Sequence, residues 1–122
     1  MTQYTTLALL PETDYGIPSG NYDGSSVAFI GNAIPAANYY GGQGYIQTLD
    51  FDVSNLLGVV TTQATLSDSP EQAAWFDIAR YGDPANVTTG ANSVTVLGNF
   101  SWLRVAVTDF TAGNITLATA SY

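Results

Sequence analysis

Apolar residues alternate with polar ones over short stretches of this chain, and no stretch repeats them at helical spacing. Gln47–Val53 reads as a strand, and so does Gly58–Leu66. In the second, Val60, Thr62, Ala64 and Leu66 share one face, while Val59, Thr61, Gln63 and Thr65 share the other. Asn55 to Gly58 is predicted to turn the chain between them. Trp75–Arg80 alternates Trp75, Asp77 and Ala79 with Phe76, Ile78 and Arg80. Tyr81–Gly90, with its Gly82-Asp83-Pro84, reads as a loop, and Ser93–Leu97 as a brief strand. Phe100–Thr108 is the clearest strand, with Leu103, Val105 and Val107 on one face. Phe110 to Asn114 is then predicted to form a hairpin turn that returns Ile115–Tyr122 antiparallel. Ser67–Gln72 is a turn around Pro70, and Pro70–Ala74 offers one helical turn at most.

The first third has a different texture. Pro11 to Gly44 carries Pro11, Pro18 and Pro35 among repeated glycines, with only Leu7–Leu10 and Val27–Ile30 as short strands. Short strands separated by turn signals every ten residues or so predict an all-β fold. The expected architecture is one domain, an antiparallel β-sandwich of jelly-roll or Ig-like type. Residues 1–45 form a loop-rich segment used for contacts, and 46–122 form the main sheets.

Composition narrows the chemistry. The 122 residues contain ten acids and two arginines, with no lysine, histidine or cysteine, for a net charge of −8. There is no imidazole for proton transfer near neutral pH, no thiol nucleophile and no lysine for a Schiff base. Two arginines cannot supply the counterion-displacing footprint of a nucleic-acid binder, and the charge disfavours anionic membranes. Neither a nucleic acid nor a membrane is an expected partner, and no cofactor or metal is expected. Leu7–Leu10 has no basic stretch before it and stops at Pro11, so it reads as neither signal peptide nor membrane span. The chain starts at Met1 and reads as a cytosolic product. The apolar fraction of 46% suits a globular domain, but the charged fraction is only 10%. The surface is therefore polar and mostly uncharged, and burying it against a neighbour desolvates few ions.

Several residues invite a functional reading. Asp50 and Asp52 lie on one strand face about 7 Å apart, a spacing open to Ca²⁺ binding or to acid–base glycoside hydrolysis; the plainer reading is a solvated strand face. Asp14 and Asp23 sit in Gly-rich loops and are weaker metal candidates. Arg80 and Arg104 stand in apolar strands and read as structural ion-pair residues. Arg104 shares a face with Phe100 and Trp102, is expected to pack on aromatics, and would pair with Asp77, Asp109 or Asp52. Trp75 and Trp102 are expected in the core, with a glycan-stacking platform as the alternative. Tyr15, Tyr22, Tyr39, Tyr40 and Tyr45 either pack over the sheet or form a contact surface. The segments Thr2–Thr13 and Tyr39–Gly44 are the expected contact regions, through Tyr4, Leu9, Tyr39, Tyr40, Gly41, Gly42 and Tyr45. The sequons at Asn86, Asn99 and Asn114 are explained by chance in an Asn- and Thr-rich chain.

Three phrases carry a resemblance. Gly31-Asn32-Ala33-Ile34-Pro35 is followed by Tyr39-Tyr40-Gly41-Gly42. Gln63-Ala64-Thr65-Leu66 leads to Pro70 and Trp75-Phe76. Gly98-Asn99-Phe100-Ser101-Trp102-Leu103-Arg104 leads to Phe110-Thr111-Ala112-Gly113-Asn114-Ile115. From about Gly24 onward the chain resembles the small virion structural proteins of tailed bacteriophages, notably contractile-tailed cyanophages; the first twenty residues lie outside the likeness. The resemblance implies a non-enzymatic virion protein of decoration or fibre type, assembled in the host cytoplasm and placed on the virion's outer surface. Its partners would be the major capsid protein or tail components and further copies of itself, a closed trimer being one such assembly. Three functions follow as expectations. The first is a capsid decoration or cement-like protein outside the head. The second is a tail-fibre or baseplate adhesin module that binds a host surface glycan. The last is a polysaccharide-cleaving enzyme using Asp50 and Asp52, which lacks a cleft-building insertion around the acids.

Overall fold

The computed structural model describes residues 6–37, 46–72 and 74–122. These residues form an all-β, antiparallel, sandwich-like domain built from one seven-stranded sheet. Four strands are short: β1 (Thr6–Leu10), β2 (Thr13–Asp14), β3 (Phe29–Ile30) and β4 (Ile34–Pro35). Three are very long: β5 (Ile46–Thr65), β6 (Phe76–Leu97) and β7 (Trp102–Ser121). β5 lies between β6 and β7 and pairs with both along its length. The four short strands pair in turn along the other edge of β7, as one interrupted row. Among the described residues the only helical element is a 3₁₀ turn at Pro70–Gln72.

Three segments expected as a turn, a loop and a hairpin are none of these. Asn55–Gly58, Tyr81–Gly90 and Phe110–Asn114 lie inside β5, β6 and β7. Ile115–Tyr122 therefore does not return alongside Phe100–Thr108. It carries the same strand onward to pair with Thr48–Val53 and β1. Turn-forming residues are present, but here they bend a strand without reversing it.

The bend is large. Twenty residues of straight strand would span about 66 Å. Yet the Tyr122 hydroxyl, beyond one end of β7, donates to the Pro35 carbonyl at 2.8 Å, and Pro35 pairs with Trp102 at the other end. Gly31 N–H donates to the Val105 carbonyl, and a Cβ on Gly31 would meet the side chain of Leu10, whose partner is Ala118. Phe51, opposite Asn92, stacks on Tyr81, opposite Val60, at 6.2 Å. The sheet is folded over, and its two halves face each other across the core. Strands that pass between layers through bulges or bends are one known way to build such corners.

The corner is made of close backbone contacts. Asn55, Gly58, Gly82, Gly90, Asp109 and Gly113 all have positive φ there, and the β5 register shifts on both sides between Asp52 and Val59. Gly113 (φ 100°) admits no side chain, because a Cβ would strike the Asn55 carbonyl and come within 2.5 Å of the Leu56 Cα. Gly82 (φ 103°) meets the Gly58 carbonyl in the same way. Asn55 N–H donates to Thr89 Oγ1, and the Tyr81 hydroxyl donates to the Gly90 carbonyl across the bend of β6.

The concave face buries Leu49, Phe51 and Val53 of β5, and the faces read from sequence as Val60, Thr62 and Ala64 and as Leu103, Val105 and Val107 of β7. Leu66, grouped with the first of these, lies beyond the end of β5 and is exposed. Beside β7 the sandwich is closed by an aromatic cluster. Phe110 sits 5.2 Å from Tyr22, 6.0 Å from Phe29 and 5.6 Å from Tyr15. Tyr22 is buried, and its hydroxyl accepts from Gly16 N–H. Gln47 is buried and bonded at each end: its Oε1 accepts from Ala37 N–H, and its Nε2 donates to the Val96 and Gly98 carbonyls.

Two outcomes test this account. Gly113→Ala adds a backbone collision to an unfavourable φ and should lower unfolding free energy by at least about 2 kcal/mol. Gly16→Ala, where a Cβ meets nothing within 4 Å, should cost about 1 kcal/mol from φ alone; equal urea midpoints for the two variants would contradict the corner. Thr62 Oγ1 is buried without a hydrogen-bond partner among the described residues. Thr62→Val should therefore raise stability by about 1 kcal/mol in the same assay.

Candidate functional site

Of the two arginines, only Arg104 is held in place. It projects from β7 beside β5, half-buried, and its guanidinium carbon lies 4.3 Å from the centre of the Trp75 ring. Its Nε donates to Gln63 Oε1 at 2.7 Å, and Gln63 Nε2 donates to Asp77 Oδ1 at 3.0 Å. The expected Arg104–carboxylate pair is therefore relayed through an amide. Gln63 stands directly across from both Arg104 and Asp77 on the central strand, so it occupies the space between cation and acid. Burial lowers the Arg104 pKa, though arginine stays charged at neutral pH. Arg80 is exposed on β6, and its charge makes a minor contribution to lowering the Asp83 pKa. The larger causes there are the Ala85 backbone N–H and the Asn86 side-chain amide.

Neither tryptophan is in the buried core, contrary to expectation. Both are half-buried: Trp75 carries Arg104 on its face, and Trp102 Nε1 donates to the Asp68 carbonyl at 3.0 Å. Trp75 precedes the first residue of β6 and Trp102 opens β7, so both sit at strand ends. Arg104, Trp75, Glu71 and Asn32, with Gly31, Ala33 and Pro70, line a shallow cavity of about 380 Å³.

Asp50 and Asp52 lie on the outer face of β5. Across the strands, Asp50 faces Ser93 and Thr119, and Asp52 faces Ala91 and Leu117. These neighbours include no titratable group that would set one acid apart from the other, as a general acid–base pair requires. Asp14 and Asp23 are each engaged by protein donors. Asp14 Oδ1 accepts from Asn114 Nδ2 at 2.5 Å. Asp23 Oδ1 accepts from the Ser25 and Ser26 backbone N–H groups at 2.8 and 2.7 Å and from Ser25 Oγ at 3.2 Å. Among the described residues, no three His, Cys, Asp or Glu side chains group closely enough to hold a metal ion, and no helix is long and apolar enough to cross a membrane.

The contact residues expected at the N-terminal end divide in two. Tyr4, Tyr39, Tyr40, Gly41, Gly42 and Tyr45 lie outside the described residues. Leu9 is 2% exposed and belongs to the core. It sits at the irregularity in β1 between Ala8 and Leu10, where both Leu9 and Leu10 turn into the core, so it presents no surface in this fold. Tyr15 is exposed and Tyr22 buried, so the tyrosines do not act as one patch.

A different surface carries exposed apolar side chains. Phe76 (42%), Val87 (57%) and Leu97 (65%) lie on β6, and Ile46 (47%) sits across from Leu97. Among the described residues β6 pairs with β5 alone, so its outer edge is open. No residue of β6 is fully buried, although Ile78, Tyr81, Val94 and Val96 pack against the core. The sandwich is thus closed beside β7 and open beside β6. Reading Tyr81–Gly90 as a loop hides this edge in the sequence. The signal that could have shown it is the run Pro84–Leu97, which contains no charged residue.

No protein-family model matches the chain, and no curated protein sequence matches it either.

The Asp23 turn makes a pH prediction. Hydrogen bonds from the Ser25 and Ser26 backbone N–H groups hold the carboxyl at about 2, below the ordinary 3.8. A depressed folded pKa stabilises the fold above the unfolded value, and that contribution is lost as pH falls through the folded one. Carbon-detected NMR titration should therefore place the Asp23 midpoint near 2, with the turn intact at pH 4 and loosened only below that midpoint. A midpoint near 3.8 would show that the turn does not form.

Proposed function

We propose that this chain is a non-enzymatic structural protein of a bacteriophage virion, a decoration or cement-like protein bound to the outside of the head through subunit–subunit contacts. The observation that carries the reading is the open side of the sandwich. Exposed apolar side chains line a strand edge that is unpaired among the described residues, on a domain with few charged groups to desolvate. An edge of this kind is a template for pairing with another chain. The net charge of −8 keeps the rest of the surface repulsive toward anionic neighbours, so contact is directed to the uncharged parts. The sequence resemblance to small virion proteins of tailed phages points the same way. The partners are then the major capsid protein and further copies of this chain, assembled in the host cytoplasm.

The adhesin reading rests on one observation, the half-exposed Trp75 beside Arg104, Glu71 and Asn32 in a shallow cavity. Stacking and hydrogen-bonding groups side by side suit a sugar ring. The guanidinium, however, already occupies one face of the indole, which favours the decoration reading.

Copy number separates the two. Quantitative mass spectrometry of purified phage particles should find this chain at a stoichiometry comparable with the capsid lattice. A handful of copies per particle, lost with the tail when heads and tails are separated, would assign it to a fibre or baseplate. Absence from particles would remove the virion reading altogether.

A further inference from the structure

We propose that the Ala85–Leu97 half of β6 is a self-pairing edge through which two copies of this chain join, antiparallel and two-fold symmetric about Asn92, into one continuous sheet. The proposal deepens the structural reading above by naming the surface and its occupant.

The two halves of β6 differ in charge. The half in one layer, Phe76–Asp83, carries Asp77, Arg80 and Asp83; the half in the other layer, beyond Pro84, carries none. Natural sheet edges are commonly protected by charged side chains, bulges or proline. Ala85–Leu97 has no charge and no proline, its ladder with β5 is regular from Gly90 to Leu97 and shifts register only between Gly90 and Asp83, and its outer edge is unpaired among the described residues. Its inward side chains are incompletely covered. Val94 and Val96 are only half-buried, although their partners Leu49 and Gln47 are fully buried.

A register follows from the side-chain pattern. Thr88, Gly90, Asn92, Val94 and Val96 oppose the core-facing residues Leu56, Val53, Phe51, Leu49 and Gln47. Ala91, Ser93, Thr95 and Leu97 oppose the outward Asp52, Asp50, Thr48 and Ile46, and alternation places Val87 and Thr89 on that outer face too. Antiparallel pairing centred on Asn92 sets Val87 against Leu97, Thr89 against Thr95, Ala91 against Ser93, Thr88 against Val96 and Gly90 against Val94. Each pair shares a face, so both faces of this layer continue across the junction. The two large exposed apolar residues of the segment cover each other, once on each side of the axis.

Charge selects a second copy of this chain as the occupant. Two molecules of net charge −8 repel unless the surfaces that meet are uncharged. Asp83 adjoins the end of the segment, where its carboxylate accepts from Ala85 N–H, and the two-fold sets its two copies at opposite ends of the junction; the other near acids are Asp50 and Asp52 on β5. Across the joined sheet, the β5 strands of the two copies are three strand spacings apart, about 14 Å, beyond the Debye length of about 8 Å at physiological salt. A two-fold contact is also isologous, so it consumes the open edge of both copies and closes at a dimer.

Sedimentation velocity of the full chain over a dilution series should show a monomer–dimer equilibrium. Asn92 is exposed, and the nearly isosteric Asn92→Asp sets two carboxylates against each other on the axis. It should weaken dimerisation about tenfold or more, with partial recovery at high salt, while the circular dichroism spectrum stays unchanged. The chain has no cysteine, so introduced thiols report this contact alone. Either Asn92→Cys, or the double variant Ala91→Cys with Ser93→Cys, occupies non-hydrogen-bonded opposing positions, where the side chains approach closely. Mild oxidation of one of the two should give a covalent dimer, and Val27→Cys should not. A chain that is monomeric at every concentration overturns the proposal. So does a dimer indifferent to Asn92→Asp that neither variant cross-links. Failure to find the chain on particles would overturn the virion reading and leave the dimer standing.

Discussion

Everything in this domain depends on three adjacent strands bending at the same level. β5, β6 and β7 each cross from one layer to the other, and their hydrogen-bonded partners cross with them. None can straighten alone, because its neighbours would lose register along a whole half. The bend is possible only where backbones approach without side chains between them. Gly113 against Asn55 and Leu56, and Gly82 against Gly58, meet that requirement. Positive φ at Asn55 and Asp109 completes it with two residue types that tolerate the left-handed region.

Folding one sheet onto itself explains the asymmetry of the molecule. The N-terminal segment runs as an interrupted row along β7, and the loop between β2 and β3 packs Tyr22 under Phe110. That side is sealed by aromatics. The opposite side is bounded by β6, whose inward residues touch the core without being covered. The most reactive-looking residues of the sequence are spent on local structure: Asp23 on a turn, Asp14 on Asn114, and Arg104 on Gln63 and Trp75. The uncharged strand edge is what the fold leaves available to a partner.

The charge distribution gives the edge its direction. Acids are placed on outward faces and in loops, while the chain from Pro84 to Leu103 carries no charge. Association through any acidic face must overcome repulsion, whereas association along β6 need not. This contrast, rather than apolar area alone, is the physical ground on which an assembling role is proposed.

Alternation in the sequence determined the strand class and which residues of β5 and β7 share a face, because a period of two is a local property of the chain, and composition determined the uncharged polar surface. Val60, Thr62 and Ala64, and Leu103, Val105 and Val107, were assigned to shared faces on that ground and are buried together. Whether Asn55–Gly58, Tyr81–Gly90 and Phe110–Asn114 reverse the chain or bend it was decided only by tertiary structure. The same residues permit both, and the choice depends on partners tens of residues away that continue pairing past the corner. For the same reason, the burial of Leu9, the partial exposure of Trp75 and Trp102 and the open edge of β6 could not be read locally. Each depends on which layer lies opposite, and that is fixed when the sheet folds over on itself.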